Sequence, residues 1–188
     1  MSVLTPTKPL LIGLTGRAGA GKSTVARMLD EHYAFTELAL AEPILDMVCS
    51  LFSMAGIDGA WAVERSLKEQ PTRLGYSYRH LAQTLGTEWG RQLSPDFWLR
   101  VLKLRLEAPE LEGESVVISD VRFPNEAEFI TRRGGVLVRV VRDIAPAARP
   151  HASEAHTDTL PVTTELLNFG SCATLLDQVD RLITSLRS

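Results

Sequence analysis

One stretch near the amino terminus constrains the fold of this chain more than any other: Leu10–Val25, with the sequence LLIGLTGRAGAGKSTV. Its first six residues form an apolar run that is short enough to be a buried parallel strand. Residues 16–23, GRAGAGKS, fit the pattern G-x-x-x-x-G-K-[ST] at every fixed position, and a helix-like run follows. This order of strand, glycine-rich turn and helix predicts a loop whose backbone N–H groups surround a phosphate.

The residue types in this loop suit the triphosphate of a nucleotide. Lys22 would bring positive charge to the β- and γ-phosphates, and the Ser23 hydroxyl can ligate Mg²⁺. The helix that begins near Lys22 points its positive dipole end at the same anion. The strand and the helix on either side argue against an accidental match, so we predict nucleoside triphosphate binding. The other residues assigned to the phosphates are Gly16, Ala18, Gly19, Ala20, Gly21 and Thr24.

The bulk composition is that of an ordinary globular protein. With 188 residues, 45% of them hydrophobic and 23% charged, we expect one domain with a substantial core. The net charge of −3 gives no reason to expect binding to long nucleic acid. We find no run long enough to span a membrane and no export segment, so we expect a cytoplasmic protein. Cys49 and Cys172 are expected to be reduced and buried, without structural zinc.

Strand-like and helix-like segments alternate along the chain. Strands are predicted at residues 10–15, 35–41, 115–121, 136–142 and 162–168, and helices at 22–32, 44–55, 78–93, 95–107, 123–134 and 172–187. The segment 44–55 is apolar nearly all round, which indicates a helix buried on most sides. An acidic turn is expected at 109–114. The alternation predicts an α/β fold of three layers, with a mostly parallel five-stranded sheet between helices.

The carboxyl ends of the predicted strands collect residues with phosphate and magnesium chemistry. In an open parallel sheet the ligand lies beyond these ends. The first strand leads into the glycine-rich loop, the 115–121 strand into Asp120 and Arg122, and the 136–142 strand into Arg142. We therefore expect the loop and these three residues at one edge of the sheet.

The predicted helix 78–93 has an unusual pattern. Ala82, Gly86 and Gly90 recur every four residues, which would give a smooth face that another backbone could approach. Polar residues recur at the same spacing on the adjacent stripe, which is either a ligand-binding face or a solvated one: Arg79, Gln83, Thr87 and Arg91.

Several segments together resemble a known family. No Asn-Lys-x-Asp sequence is present, which argues against a GTPase. LIGLTGRAGAGKSTVA, KEQP, RHLAQTLGTEWGR, SDVRFPNEAEFI and HASE resemble, in that order, the phage-type deoxynucleoside monophosphate kinase family, and the similarity covers most of residues 10–155. The resemblance implies a P-loop kinase fold in a single domain, 1–188. It also implies a nucleoside monophosphate (NMP)-binding insertion at about 42–107 and a lid segment at about 143–161.

The resemblance also implies an activity, ligands and residue roles. The activity is transfer of the ATP γ-phosphoryl group to a deoxynucleoside 5′-monophosphate (dNMP) with Mg²⁺, by a homodimer. Lys22, Asp120, Arg142 and Arg149 would act on the transferring group, and Ser23 and Asp120 would hold the metal. The acceptor would be bound by Lys68, Arg79, Gln83, Arg91, Arg122 and Glu154, with His151 orienting the lid. The alternatives are a kinase similar to dephospho-CoA kinase and a non-catalytic binding module gated by a nucleotide.

Overall fold

The computed structural model describes residues 8–64, 66–143 and 156–188. Its strands are β1 (Leu11–Thr15), β2 (Thr36–Leu38), β3 (Val116–Ile118), β4 (Val136–Val141) and β5 (Thr164–Leu167). They form one sheet in the order β2-β3-β1-β4-β5, and every neighbouring pair is parallel. The α/β fold with a parallel five-stranded sheet that the sequence predicts is therefore confirmed.

The described helices follow the predicted alternation with strands. They are α1 (Lys22–Tyr33), α2 (Glu42–Met54), α3 (Ala60–Val63), α4 (Tyr78–Gln83), a π-helix (Thr84–Gly90), α5 (Arg91–Leu93), α6 (Phe97–Glu112), α7 (Pro124–Arg132) and α8 (Cys172–Arg187). Among the described residues, no helix combines the length and the apolar composition that crossing a bilayer requires.

The side chains of β1 alternate between the two faces of the sheet, and helices cover both faces. Ile12 and Leu14 join the core that α1 and α8 form on one face. Gly13 faces the other way, and a Cβ there would lie 2.5 Å from Ile130 Cδ1 of α7. The sheet is thus the middle of three layers. Its main core contains Val25, Ala26, Leu29, Phe35, Val117, Val138, Val140, Leu166, Leu175, Val179 and Ile183.

The chain forms two compact units. The first comprises the residues up to Ala39 and from Leu102 onwards, and it contains the sheet. The second is Leu40–Val101 and contains a smaller apolar core around Val48, Phe52 and Tyr78. The ring centroids of Phe52 and Tyr78 lie 5.8 Å apart in an edge-to-face arrangement.

Three expectations about local structure are wrong. Helix α2 is buried on one stripe only, because Met47, Leu51 and Met54 are exposed. The acidic segment after Pro109 is not a turn, because α6 continues through this proline and ends before Gly113, whose φ is +71°. Pro109 has no N–H group to donate, so α6 lacks one of its internal hydrogen bonds near its carboxyl end.

The third wrong expectation concerns the thiols. Both cysteines are exposed. Cys172 is the first residue of α8 and so lies at a helix end, outside the packed stripe of that helix. The Sγ atom of Cys49 lies 3.9 Å from the Tyr78 hydroxyl at the border of the second unit's core.

The glycine stripe of the second unit packs against side chains and not against another backbone. The Trp98 indole N–H donates to the Gly86 carbonyl oxygen at 2.7 Å. A Cβ on Gly90 would lie 2.3 Å from the indole Nε1, so glycine is required where Trp98 crosses the helix. The same stretch, Thr84–Gly90, is a π-helix. Gly86 and Gly90 nevertheless lie on one face of it, because both are next to the Trp98 indole.

Candidate active site

The glycine-rich loop lies between the end of β4 and the segment that follows β5. Gly16 has φ of +130°, and a Cβ there would lie 2.4 Å from the Val140 carbonyl oxygen. Gly21 has φ of +105°, and its Cβ would lie 2.4 Å from the Asn168 side-chain nitrogen. Both positions combine a conformation that favours glycine with a contact that leaves no room for a side chain.

The end of this loop has the features of an anion site. Helix α1 begins at Lys22, and its N-cap residue Gly21 provides no side chain to cap the first N–H groups. The Lys22 ammonium donates to the carbonyl oxygens of Gly16 at 2.7 Å and Arg17 at 3.0 Å. Its positive charge therefore lies across the start of the loop, at the positive end of the α1 dipole. Ser23 is exposed at the first turn of the helix.

Asp120 lies at the same edge of the sheet, next to the first residue of the loop. The Val121 N–H donates to the Leu14 carbonyl oxygen at 3.0 Å, and the register of β1 and β3 pairs Gly13 with Ile118. Two residues further on, the same register sets Asp120 level with Thr15, which directly precedes Gly16. The half-buried carboxylate is thus one strand away from the loop.

Thr15 contributes an unsatisfied polar atom at this edge. Its side chain is 0% exposed, and its Oγ1 has no hydrogen-bond partner among the described residues. Buried hydroxyl groups are nearly always hydrogen-bonded, so an unpaired one is an unusual feature of this edge.

A buried carboxylate fixes the backbone at Arg122. Glu126 is 6% exposed, and its Oε2 accepts hydrogen bonds from the N–H groups of Arg122 at 2.8 Å and Phe123 at 3.0 Å. It caps the amino terminus of α7 from within the first turn. The half-buried Arg122 therefore leaves the sheet edge from a backbone that Glu126 holds in place.

Arg142 lies on the other side of the loop and lines a cleft of about 600 Å³. Opposite it are Asn168 and Phe169, which follow β5. The Asn168 amide N–H donates to the Ala20 carbonyl oxygen at 2.8 Å, which ties this wall to the glycine-rich loop. Asn168 and Phe169 are not among the site residues that the sequence predicts. The rule that ligands lie beyond the carboxyl ends of strands also applies to the last strand and would have indicated them.

The second unit brings two of the predicted acceptor residues together. The Arg79 N–H donates to the Lys68 carbonyl oxygen at 3.0 Å, and the Arg79 guanidinium forms an ion pair with Glu69. The Lys68 ammonium lies 5.8 Å from the centre of the Tyr78 ring. Burial, reinforced by Cys49, raises the pKa of Tyr78 well above its usual range, so this ring stays neutral.

The remaining predicted residues are less closely grouped. Gln83 ends α4 and Arg91 begins α5, and both are half-buried, with the whole π-helix between them. Arg149, Glu154 and His151 lie outside the described residues. Within the part of the chain that the structure describes, no group of three or more His, Cys, Asp or Glu side chains could hold a metal ion.

Comparison with known proteins shows which family this chain belongs to. The sequence profile of the family described as deoxynucleotide monophosphate kinase matches residues 63–179. A mimivirus protein (Acanthamoeba polyphaga mimivirus) that bears this family's name is 30% identical over 158 residues, which cover 77% of this chain and 80% of that protein. The chain belongs to the deoxynucleotide monophosphate kinase family.

Two further similarities concern the family and the fold. The deoxynucleoside-5′-monophosphate kinase of Escherichia phage T5 is 23% identical over 230 residues, covering 85% of this chain and 89% of the phage protein. The structure of dephospho-CoA kinase from Campylobacter jejuni superposes with a TM-score of 0.51 at 10% identity, covering 96% of this chain and 98% of that one. At this identity the superposition shows a shared fold only. Membership of the family makes the protein a nucleotide kinase, and its fold is that of the P-loop kinases.

Proposed function

We propose that the protein transfers the γ-phosphoryl group of ATP to the phosphate of a deoxynucleoside 5′-monophosphate. The observation that carries the proposal is the sheet edge at which an anion-binding loop with its lysine adjoins the Asp120 carboxylate, in a chain of this family. Phosphoryl transfer requires mainly the positioning of two phosphates and the neutralisation of their charge. These groups supply both.

The donor triphosphate would be bound by the loop, through the N–H groups of residues 16–24. Lys22 would exchange its bonds to the Gly16 and Arg17 carbonyl oxygens for the phosphate oxygens, where its charge stabilises the transferring group. Asn168 and Phe169 line a cleft beside this loop and would accept the base of ATP, whereas Arg142 follows β4, the strand nearer the loop. Arg142 and Arg149 are the arginines that we propose act on the transferring phosphoryl group.

The residues near the loop fit a magnesium ion. Ser23 and Asp120 offer oxygen ligands, which Mg²⁺ prefers. Ser23 and Asp120 would hold the ion, which would neutralise charge on the phosphates. Asp120 would act through a water or directly on the acceptor phosphate.

Acceptor binding remains a proposal for six residues: Lys68, Arg79, Gln83, Arg91, Arg122 and Glu154. Arg79 is now paired with Glu69, and these side chains are 43% and 61% exposed. An ion pair this exposed is weak. A phosphate dianion can therefore replace the Glu69 carboxylate as the partner of Arg79.

The proposal is tested by an acceptor screen. Purified protein is incubated with ATP, Mg²⁺ and each of the four natural dNMPs, including dTMP, and ADP and the deoxynucleoside diphosphate are measured. We expect ADP formation that requires a dNMP. A modified-base monophosphate and dephospho-CoA complete the set of acceptors. Turnover with dephospho-CoA alone, or with no acceptor at all, would contradict the proposal.

Lys22→Ala provides the control for this screen. Because Lys22 stabilises charge in the transition state, its loss should lower turnover about 100-fold or more. The melting temperature should stay close to that of the wild type, since the bonds that Lys22 donates to the loop are peripheral to the core. A large fall in melting temperature would mean that the residue is structural.

A further inference from the structure

Arg17 occupies a position of the glycine-rich loop that the motif leaves unspecified, and it forms an ion pair that phosphate binding by the loop does not require. Its Nε and Nη2 donate to the same Asp158 oxygen, Oδ2, at 2.9 and 2.6 Å. This hydrogen bond and the charge of Asp158 raise the pKa of Arg17. The two residues are 141 positions apart in the sequence. The pattern G-x-x-x-x-G-K-[ST] accepts any residue at position 17.

Asp158 is itself anchored to the sheet. Arg139 of β4 donates to the carbonyl oxygens of Thr157 at 3.3 Å and Leu160 at 2.6 Å, one on each side of Asp158. The side chain of Arg139 is only 15% exposed and forms an ion pair at 2.7 Å with Glu165 of β5. The turn 156–160 is therefore fixed to the two strands β4 and β5.

The backbone of Arg17, the other member of the pair, helps to hold the Lys22 ammonium. The Arg17 carbonyl oxygen accepts from the Lys22 ammonium at 3.0 Å and from the Ala20 N–H at 3.1 Å. A shift of the Arg17 backbone would therefore disturb the hydrogen bonds of both Lys22 and Ala20. The conformation of the loop is thus linked through one ion pair to a turn that the sheet holds in place.

The pair contributes little to global stability, which leaves positioning as its role. The side chains of Arg17 and Asp158 are 47% and 50% exposed, and ion pairs as exposed as this have small effects on unfolding. A small energy is enough to choose among the conformations of a short glycine-rich loop. Binding sites that are fixed before the ligand arrives bind it more tightly.

We propose that Asp158 and Arg17 are positioning residues for the phosphate loop, and that they hold its backbone in the conformation that receives the triphosphate. The pair also links the loop to the turn that directly follows residues 144–155 in the chain. The kinetic part of this inference rests on the proposed phosphoryl transfer, whereas the ATP-binding part does not.

The test is a double-mutant cycle with a charge swap. The variants are Arg17→Ala, Asp158→Ala, the double alanine variant, and Arg17→Asp combined with Asp158→Arg. Arg27→Ala and Glu31→Ala form the matched control, because Arg27 and Glu31 are an exposed ion pair of α1, 65% and 58% exposed. The dissociation constant of a fluorescent ATP analogue, the KM for ATP, kcat and the melting temperature are measured for each protein.

We expect each single variant of the pair to raise the dissociation constant and the KM for ATP about fivefold, with kcat within about twofold of the wild type. The double alanine variant should be no weaker than the singles, because both remove the same link. The swapped pair should recover part of the affinity. The controls should bind ATP like the wild type, and all melting temperatures should agree within about 2 °C.

Three results would overturn the inference. One is wild-type ATP affinity in Asp158→Ala. The second is an additive double variant, weaker by about 25-fold, since Arg17 and Asp158 would then act independently. The third is a loss of ATP affinity that is accompanied by a fall in melting temperature and that the variant with Arg17→Asp and Asp158→Arg does not recover. Failure of the proposed function is distinguishable, because the wild type would then bind ATP without phosphorylating any dNMP.

Discussion

Replacing Gly90 by alanine should disrupt the packing of Trp98 against the π-helix. The added Cβ would lie 2.3, 2.6 and 2.7 Å from three indole atoms, Nε1, Cε2 and Cζ2. The indole cannot move away easily. It is 6% exposed, its N–H is bonded to Gly86 at 2.7 Å, and the Phe97 ring packs edge-on at 4.9 Å. The substitution therefore forces a shift of the ring or of the helix.

The size of the effect follows from three contributions. Overpacking a buried site costs about 1–3 kcal/mol. Loss of the bond between Trp98 and Gly86 costs about 1 kcal/mol. The better helix propensity of alanine over glycine returns about 1 kcal/mol. We expect Gly90→Ala to lower the free energy of unfolding by about 2 kcal/mol.

Gly86→Ala is the matched comparison in the same helix. Its Cβ would meet only Ile44, with Cδ1 at 2.9 Å and the other atoms at 3.9 Å or more. The end of an isoleucine side chain can rotate away, so the propensity gain should offset the contact and leave the free energy of unfolding within about 0.5 kcal/mol of the wild type. Gly59→Ala, where a Cβ would meet nothing within 4 Å, is a second control.

Urea unfolding followed by tryptophan fluorescence measures these free energies, and kinetics with ATP and a dNMP adds a functional reading. Because Arg91 directly follows Gly90, we expect Gly90→Ala to raise the KM for the dNMP more than the KM for ATP. If Gly90→Ala is as stable as Gly86→Ala, the glycine is not required by the indole, and the packing argument fails.

Three further predictions concern the first unit. Asp120→Asn should lower turnover about 100-fold while the dissociation constant for ATP stays within about threefold; an unchanged rate would remove Asp120 from the site. Glu126→Ala should lower the free energy of unfolding by about 2 kcal/mol, because it leaves the Arg122 and Phe123 N–H groups without their acceptor, whereas Glu126→Gln should cost less; equal losses in urea unfolding would contradict this. Burial, with help from Asp180, raises the pKa of Tyr33 from 10.0 to about 12, which favours the neutral form in the folded state. This contribution to stability is present below pH 10 and is lost as the pH rises towards 12, so the difference in unfolding free energy between wild type and Tyr33→Phe should shrink between these values. A difference that does not depend on pH would contradict it.

The sequence was most informative where local pattern and topology agree. The glycine-rich loop, β1 and α1 follow from one motif in its strand–helix context, and the bounds of α8 coincide with those of the predicted helix, residues 172–187. The position of Asp120 follows from the parallel register alone, because strands of one parallel sheet end at the same edge.

The parts that were missed depend on contacts between distant residues. The sequence predicts one helix over 78–93, but its middle, Thr84–Gly90, is a π-helix whose two glycines lie against Trp98. The pairing of Arg17 with Asp158 depends on a turn fixed by Arg139, and no local pattern indicates it. Pro109 is the opposite case. A proline is a strong local signal against a helix, but α6 continues through it to Glu112.

The strand order determines the order in which the groups of the proposed site follow one another along the sheet edge. Across the sheet, β3 carries Asp120, β1 carries the phosphate loop, β4 carries Arg142 and β5 leads to Asn168. Neighbouring strands are about 4.8 Å apart, so these groups are spread along one edge in a fixed sequence. If the cleft beside β4 and β5 receives the base of ATP, the triphosphate must run from there towards β3. The γ-phosphate then arrives beside Asp120 and Arg122, which is where an acceptor phosphate would have to be bound.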